Sequence, residues 1–239
     1  VSTSDYYYDA VLWAVENGVT SGTSATTFGP NVTVSRAQMM TFLWRVHGSP
    51  KATGTNPFTD VSTSDYYYDA VLWAVANGVT NGTSATTFSP NGTMTRSMLV
   101  TALWRLEGEP AAAGTSGFPD VKPDAWYTEA VDWASQTGLV SGTGAGFDPE
   151  GSVTREQIAS ILYRYAKLKG WDVSKTASLQ DFADGADTSA WATRAMEWAY
   201  AEKLITGKDG NRLDPQGQAT RAEVATILMR LLESKAKNA

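Results

Sequence analysis

The chain has no cysteine in its 239 residues, which removes disulfides, thiolate catalysis and cysteine-based metal sites. Histidine is nearly absent. His47 stands alone, and the matching position sixty residues later is Glu107. A position that exchanges imidazole for carboxylate is expected to be exposed, so a catalytic triad or a multi-histidine metal site is excluded. No run approaches the ~20 apolar residues of a membrane-spanning helix. Basic excess is lacking too. The formal net charge of −6 argues against nucleic acid as a partner, because phosphate binding needs a basic face.

What the chain has is repetition. Residues 1–31 and 61–91 match at every position but three: Glu16 against Ala76, Ser21 against Asn81, and Gly29 against Ser89. Asp120 to Lys167 repeats the pattern more loosely, and Asp184 to Leu232 more loosely again. The repeats span 1–50, 58–108, 118–169 and 182–233. Copy one lacks the opening Phe58-Thr59-Asp60, Phe118-Pro119-Asp120 or Phe182-Ala183-Asp184 of the others, so the sequence reads as cut from a longer protein. Units near 60 residues are small for independent folds and are expected to share cores. Multiplied units suit a partner that is itself repetitive better than a single catalytic pocket.

Within each copy the pattern predicts two helices and a loop. In copy two, Ala70, Val71, Ala74 and Val75 share a face from Tyr67 to Asn77, with Trp73 beside it. Trp13, Trp73, Trp133 and Trp198 are expected in the core. Gly18, Gly78 and Gly138 supply the left-handed stop, whereas copy four has Lys203 there and must end its helix by other means. A Gly- and Thr-rich loop follows, with Phe28, Phe88, Phe147 or Leu213 plugging it into the core ahead of x-Pro. Ser35, Thr95, Thr154 and Thr220 then stand as N-caps. Gln38, Gln157 and Glu223 complete capping boxes; Met98 does not. The tail after Leu232 is polar and is expected to fray. Lys208-Asp209-Gly210-Asn211 has a trace of a calcium loop but lacks the downstream bidentate Glu, so no metal or other cofactor is expected.

Phe-x-Asp-Val, a helix, Gly-x-x-x-Gly, Phe-x-Pro and then Thr-Arg-Ala-Glu resembles the S-layer homology repeat. Thr220-Arg221-Ala222-Glu223 carries the four-residue string intact, Ser35-Arg36-Ala37-Gln38 and Thr154-Arg155-Glu156-Gln157 are close variants, and Thr95-Arg96-Ser97-Met98 keeps Thr-Arg. The arginines recur at intervals of 59 to 66 residues. The resemblance implies a mainly α fold of tandem repeats in a pseudo-threefold helical trefoil, with a fourth repeat appended or swapped. It implies an extracellular location at the cell wall or S-layer surface. It implies a non-catalytic anchor holding a secondary cell-wall polysaccharide attached to peptidoglycan, whose sugar terminus is pyruvylated and anionic. A monomer or a domain-swapped oligomer would serve. The alternative is a protein-interaction module that kept the scaffold and lost glycan binding.

By the same resemblance, Arg36, Arg96, Arg155 and Arg221 are the first candidates for the ligand carboxylate. A guanidinium at a helix N-terminus joins free N–H groups and the positive end of the dipole. Gly22, Gly82, Gly142 and Gly207 would let backbone approach a sugar. Trp126 and Trp191, where copies one and two have Tyr6 and Tyr66, would offer stacking faces, and Asp120 and Asp184 complete the candidate set. Each has a plainer reading: the arginines pair with Asp60, Asp120 and Asp184 to pin repeat to repeat, and the glycines serve loop geometry. A glycosidase carboxylate pair has no recognisable setting here.

Overall fold

The structure, a computed structural model, describes residues 1–208 and 211–237. It is mainly helical. Eight α-helices are present among the described residues: α1 (Tyr8–Glu16), α2 (Arg36–Val46), α3 (Tyr68–Ala76), α4 (Arg96–Leu106), α5 (Thr128–Gln136), α6 (Arg155–Leu168), α7 (Thr193–Ala201) and α8 (Arg221–Lys237). A short 3-10 turn, Gly185–Asp187, precedes α7. Extended backbone meets only in isolated bridges among these residues, such as Ser35 with Thr93 and Thr33 with Thr220.

The chain forms two compact units, Val34–Ser152 and Val1–Thr33 with Val153–Ala239. Their boundaries fall inside repeats, directly ahead of α2 and α6. Pairing explains the cut, because a repeat's second helix packs on the first helix of another repeat. In the 34–152 unit, α2 packs on α3 and α4 on α5; in the other, α6 packs on α7 and α8 on α1. The fourth repeat's second helix and the first repeat's first helix therefore share one core. Ala70, Val71, Ala74, Ala130, Val131 and Ala134 are fully buried, and Trp73, Trp133 and Trp198 lie in the core as their helical spacing predicts.

The helix starts follow the sequence signals. Ser35, Thr95, Thr154 and Thr220 accept from the N–H three residues on, and Gln38, Gln157 and Glu223 return a side-chain oxygen to the cap's own N–H. The stops at Gly18, Gly78 and Gly138 adopt φ of 68, 65 and 72°. Copy four ends α7 by the same left-handed step, with Lys203 itself at φ 58°. The expectation of a different stop is corrected: tertiary packing holds a non-glycine residue where it costs about 1 kcal/mol. Lys203→Gly should accordingly raise Tm by about 2–4 °C in a thermal melt. An unchanged Tm would show that Lys203 gains an offsetting contact. At the C-terminus α8 continues to Lys237 rather than ending near Leu232.

Candidate functional site

The recurring local device is a clasp on the Phe-x-Pro loop. On one side of the loop, an aspartate of the same repeat accepts two consecutive backbone N–H groups. Asp60 takes Phe88 and Ser89 at 2.8 Å each, Asp120 takes Phe147 at 2.8 Å and Asp148 at 2.6 Å, and Asp184 takes Leu213 at 2.6 Å and Asp214 at 2.9 Å. On the other side, a Thr-Arg arginine donates Nε to the carbonyl of that same apolar residue. Arg36 reaches Phe88 O (3.1 Å), Arg96 Phe147 O (2.7 Å), Arg155 Leu213 O (3.0 Å) and Arg221 Phe28 O (2.9 Å). Three of the guanidinium groups also lie 4.9 Å from the ring centroid of the phenylalanine they hold. Aspartate and arginine therefore grip opposite ends of one residue. They are neighbours in charge, and the loop backbone stands between them.

Further bonds engage these arginines. Arg36 Nη2 donates to Asn81 O at 2.8 Å, with Nη1 3.2 Å from Met98 Sδ. Arg155 Nη2 donates to Thr206 O at 2.5 Å, and its Nη1 forms an ion pair with Glu223 Oε1. The four arginines are between 1% and 5% exposed. Burial pushes the Arg36 and Arg96 guanidinium groups below the ordinary arginine value, with nearby carboxylates acting in the opposite sense. The helix N-termini are occupied as well. The N–H of Arg36 meets Gly92 O (2.7 Å) and that of Ala37 meets Pro90 O (3.0 Å), with the third N–H taken by the cap. The same pattern holds at Arg96 with Gly151 and Pro149 as acceptors, at Arg155 with Gly217 and Pro215, and at Arg221 with Val32 and Pro30. The expectation of open N–H groups beside an open guanidinium is thus corrected. The next loop's carbonyls fill the positive end of each helix, which is why the arginines are structural first.

The candidate glycines face phenylalanine. A Cβ on Gly142 would stand 2.8 Å from Phe118 Cε1 and one on Gly207 2.6 Å from Phe182 Cε1, while Gly82 meets Phe58 Cε1 at 2.5 Å. Gly142 also has φ 73°. Gly142→Ala should therefore destabilise by about 2 kcal/mol, from overpacking together with a left-handed backbone. Chemical denaturation checks this; a loss under 0.5 kcal/mol would mean the Phe118 ring moves aside freely.

In the 34–152 unit an open cleft of about 720 Å³ gathers several candidates: Arg36, Gly82 and Asp120, with Thr95, Lys122, Tyr127 and Glu150. Sequence reasoning missed Lys122, Tyr127 and Glu150. Lys122 is exposed, and it had no repeat signal because copy two carries Ser62 there. Asp148 also lines the cleft, so its carboxylates outnumber its cations. Arg96 and Trp126 are not among its lining residues; Trp126 is half-buried and meets Tyr127 edge-on at 5.2 Å. In the other unit Arg155 and Asp184 converge on Leu213 with Gly207 against Phe182, while Trp191 stands 56% exposed. Tyr6, the counterpart of the two tryptophans, is turned toward Thr206, Glu223 and Arg155. Burial and the Glu223 carboxylate push its phenol up. His47 is exposed, as expected. Asp209 and Gly210 of the calcium-like string lie outside the described residues. Among the described residues no group of three His, Asp or Glu side chains is arranged for a metal, and no helix is long and apolar enough to cross a membrane.

These features define a class: an all-helical tandem repeat whose loops are held between an aspartate and a Thr-Arg helix. The family is also shown directly. The model of the S-layer homology domain matches residues 1–40, 57–97, 117–159 and 181–225, and the chain belongs to that family. It is 32% identical over 188 residues to the surface-layer 125 kDa protein of Lysinibacillus sphaericus, covering 77% of this chain and 15% of that protein. It is 29% identical over 176 residues to exoglucanase XynX of Acetivibrio thermocellus, covering 74% and 16%, and 26% identical over 201 residues to S-layer protein sap of Bacillus anthracis, covering 75% and 22%. The chain thus spans less than a quarter of the length of these relatives. Family and relatives together indicate a cell-surface location associated with the cell wall.

Proposed function

We propose that the chain is a non-catalytic module that anchors a surface protein to the bacterial cell wall by binding a secondary cell-wall polysaccharide. Four family matches and S-layer relatives support the anchoring role. The observation that carries the ligand class is the cleft of the 34–152 unit. Its lining of hydroxyls, carboxylates, one exposed ammonium and Tyr127 suits a polyhydroxylated chain. The pyruvylated, anionic terminus belongs to the proposal. Its carboxylate is assigned to Lys122, because the Arg36 donors are already committed to the protein's own carbonyls.

Purified walls, with and without chemical removal of the pyruvylated polymer, test this in a pull-down. Retention on intact walls and loss on stripped walls is expected, and equal retention on both overturns the polysaccharide reading. Lys122→Ala should weaken binding about tenfold or more if the ammonium meets the carboxylate. A Lys122→Ala chain that binds unchanged removes that contact.

One observation favours a second reading, an interaction module without glycan binding. Every Thr-Arg helix in the chain spends its N-terminal N–H groups internally. On that reading the chain is retained by neither wall preparation and co-purifies with a protein.

A further inference from the structure

Three repeats share an element that the first does not have, and the first repeat keeps the surface for it. In copy two the backbone of Thr59 donates to Thr86 O at 2.9 Å, Asp60 accepts Phe88 N and Ser89 N, and Phe58, 6% exposed, packs against Gly82 and Phe88. Copies three and four repeat the arrangement with Phe118-Pro119-Asp120 and Phe182-Ala183-Asp184. The residues just ahead lie along the outer edge of the repeat's first helix. Ser116 N donates to Asp132 Oδ1 at 2.6 Å on α5, and Ala177 N to Glu197 O at 3.2 Å on α7.

Copy one has the receiving half of this arrangement. Its loop is nearly identical to that of copy two, yet among the described residues no carboxylate meets the N–H of Phe28 or of Gly29, the counterparts of Phe88 and Ser89. No phenylalanine stands against Gly22, where Phe58, Phe118 and Phe182 stand against Gly82, Gly142 and Gly207. On α1, Leu12 and Val15 are 42% and 49% exposed, whereas Leu72, the counterpart of Leu12 in the same local sequence, is 7% exposed. Asp132 and Glu197 hold that same helical position in copies three and four, and there the preceding segment covers it.

We infer that the first repeat carries an acceptor site for an extended peptide segment bearing Phe-x-Asp, joined directly ahead of Val1 as Phe58-Thr59-Asp60 is joined ahead of Val61. The aromatic ring fills the slot at Gly22, and the carboxylate accepts Phe28 N and Gly29 N. The preceding residues cover Leu12 and Val15. Charge supports the match. The carboxylate comes to lie near Arg221, which holds Phe28 O, as Asp60 and Asp120 lie near Arg36 and Arg96. Chemistry and direction of the occupant are both given by the three internal examples. The inference is independent of whether the module binds polysaccharide.

The test is a graft. Residues 52–60 (Ala-Thr-Gly-Thr-Asn-Pro-Phe-Thr-Asp) are placed ahead of Val1 in the full chain, beside a scrambled graft and grafts with Phe or Asp replaced by Ala. Amide hydrogen exchange at Phe28 and Gly29 should slow at least tenfold with the true graft only, and Tm should rise by about 5 °C. The Asp-replaced graft should lose the protection at both amides. Exchange at Phe28 and Gly29 that is the same for the true and scrambled grafts overturns the inference. So does protection that survives replacement of both Phe and Asp.

Discussion

Arg155→Ala should lower Tm by on the order of 10 °C, whatever it does to ligand binding. Arg155 is 1% exposed, and so is its partner Glu223. Removing one member of such a pair strands the other charge in a medium that cannot solvate it, a loss of about 3–5 kcal/mol. Leu213 O and Thr206 O lose their donors in the same step. For a chain of this length each kcal/mol is about 2–4 °C of Tm. The chain contains its own design for a repair. Arg36 occupies the equivalent place in copy one and meets Met98 where Arg155 meets Glu223. Arg155→Met combined with Glu223→Met removes both charges and keeps apolar volume, and should melt closer to the parent than Arg155→Ala. Differential scanning calorimetry on the single and double variants decides the matter. A single variant that melts within 2 °C of the parent and loses wall binding would return Arg155 to the ligand site.

The arginines also show what the sequence could and could not disclose. Helix starts and stops are local events. A Thr with Gln or Glu three residues on, or a Gly after an apolar face, decides them within one turn, so the helices and caps could be read directly. The partner of an arginine is set by the fold. Arg36 meets Phe88 and Arg155 meets Glu223, 52 and 68 residues away. Within Thr-Arg-Ala-Glu, Glu223 serves its own helix by accepting Thr220 N, and serves another repeat by pairing with Arg155. A single copy of the string does not reveal the second role. The expected Asp–Arg pairing identified the right residues and the wrong atoms, since Asp60 takes the N–H of Phe88 and Arg36 takes its C=O. Periodicity makes the four repeats plain. It does not show that compact units cut across them, because that depends on which helix packs on which. Lys122 was invisible for the opposite reason: it occurs in one copy only, and repetition was the signal.

Acid should loosen the aspartate side of the clasp, and Asp184→Asn should remove most of that sensitivity from its own loop. Asp184 is 8% exposed and accepts Leu213 N, Asp214 N and, at 3.3 Å, Arg212 Nε. Burial alone would push its carboxyl up; the two N–H groups, with help from Arg212, outweigh burial and hold it below the ordinary carboxylate value. Asp120 is held low in the same way by Phe147 N and Asp148 N. A carboxyl that binds its proton more weakly in the folded chain than in the unfolded one contributes stability that is whole above the unfolded value of about 3.9. That contribution is lost as pH falls through the lower folded value. Between neutral pH and about pH 5 the Asp184 contribution should therefore be flat, with the decline beginning near pH 4. Asp184→Asn keeps one acceptor oxygen but turns an NH2 group toward the second loop N–H. At pH 7 it should cost about 2–3 kcal/mol, the penalty of a buried donor left unmade beside a lost charged bond. Below the folded value of Asp184 the parent has lost most of the same advantage. The two melting curves should therefore draw together as pH falls. Parallel curves from pH 7 to pH 3 would mean that Asp184 holds its loop no better as an anion than as an acid, and the clasp would then rest on the arginine side alone.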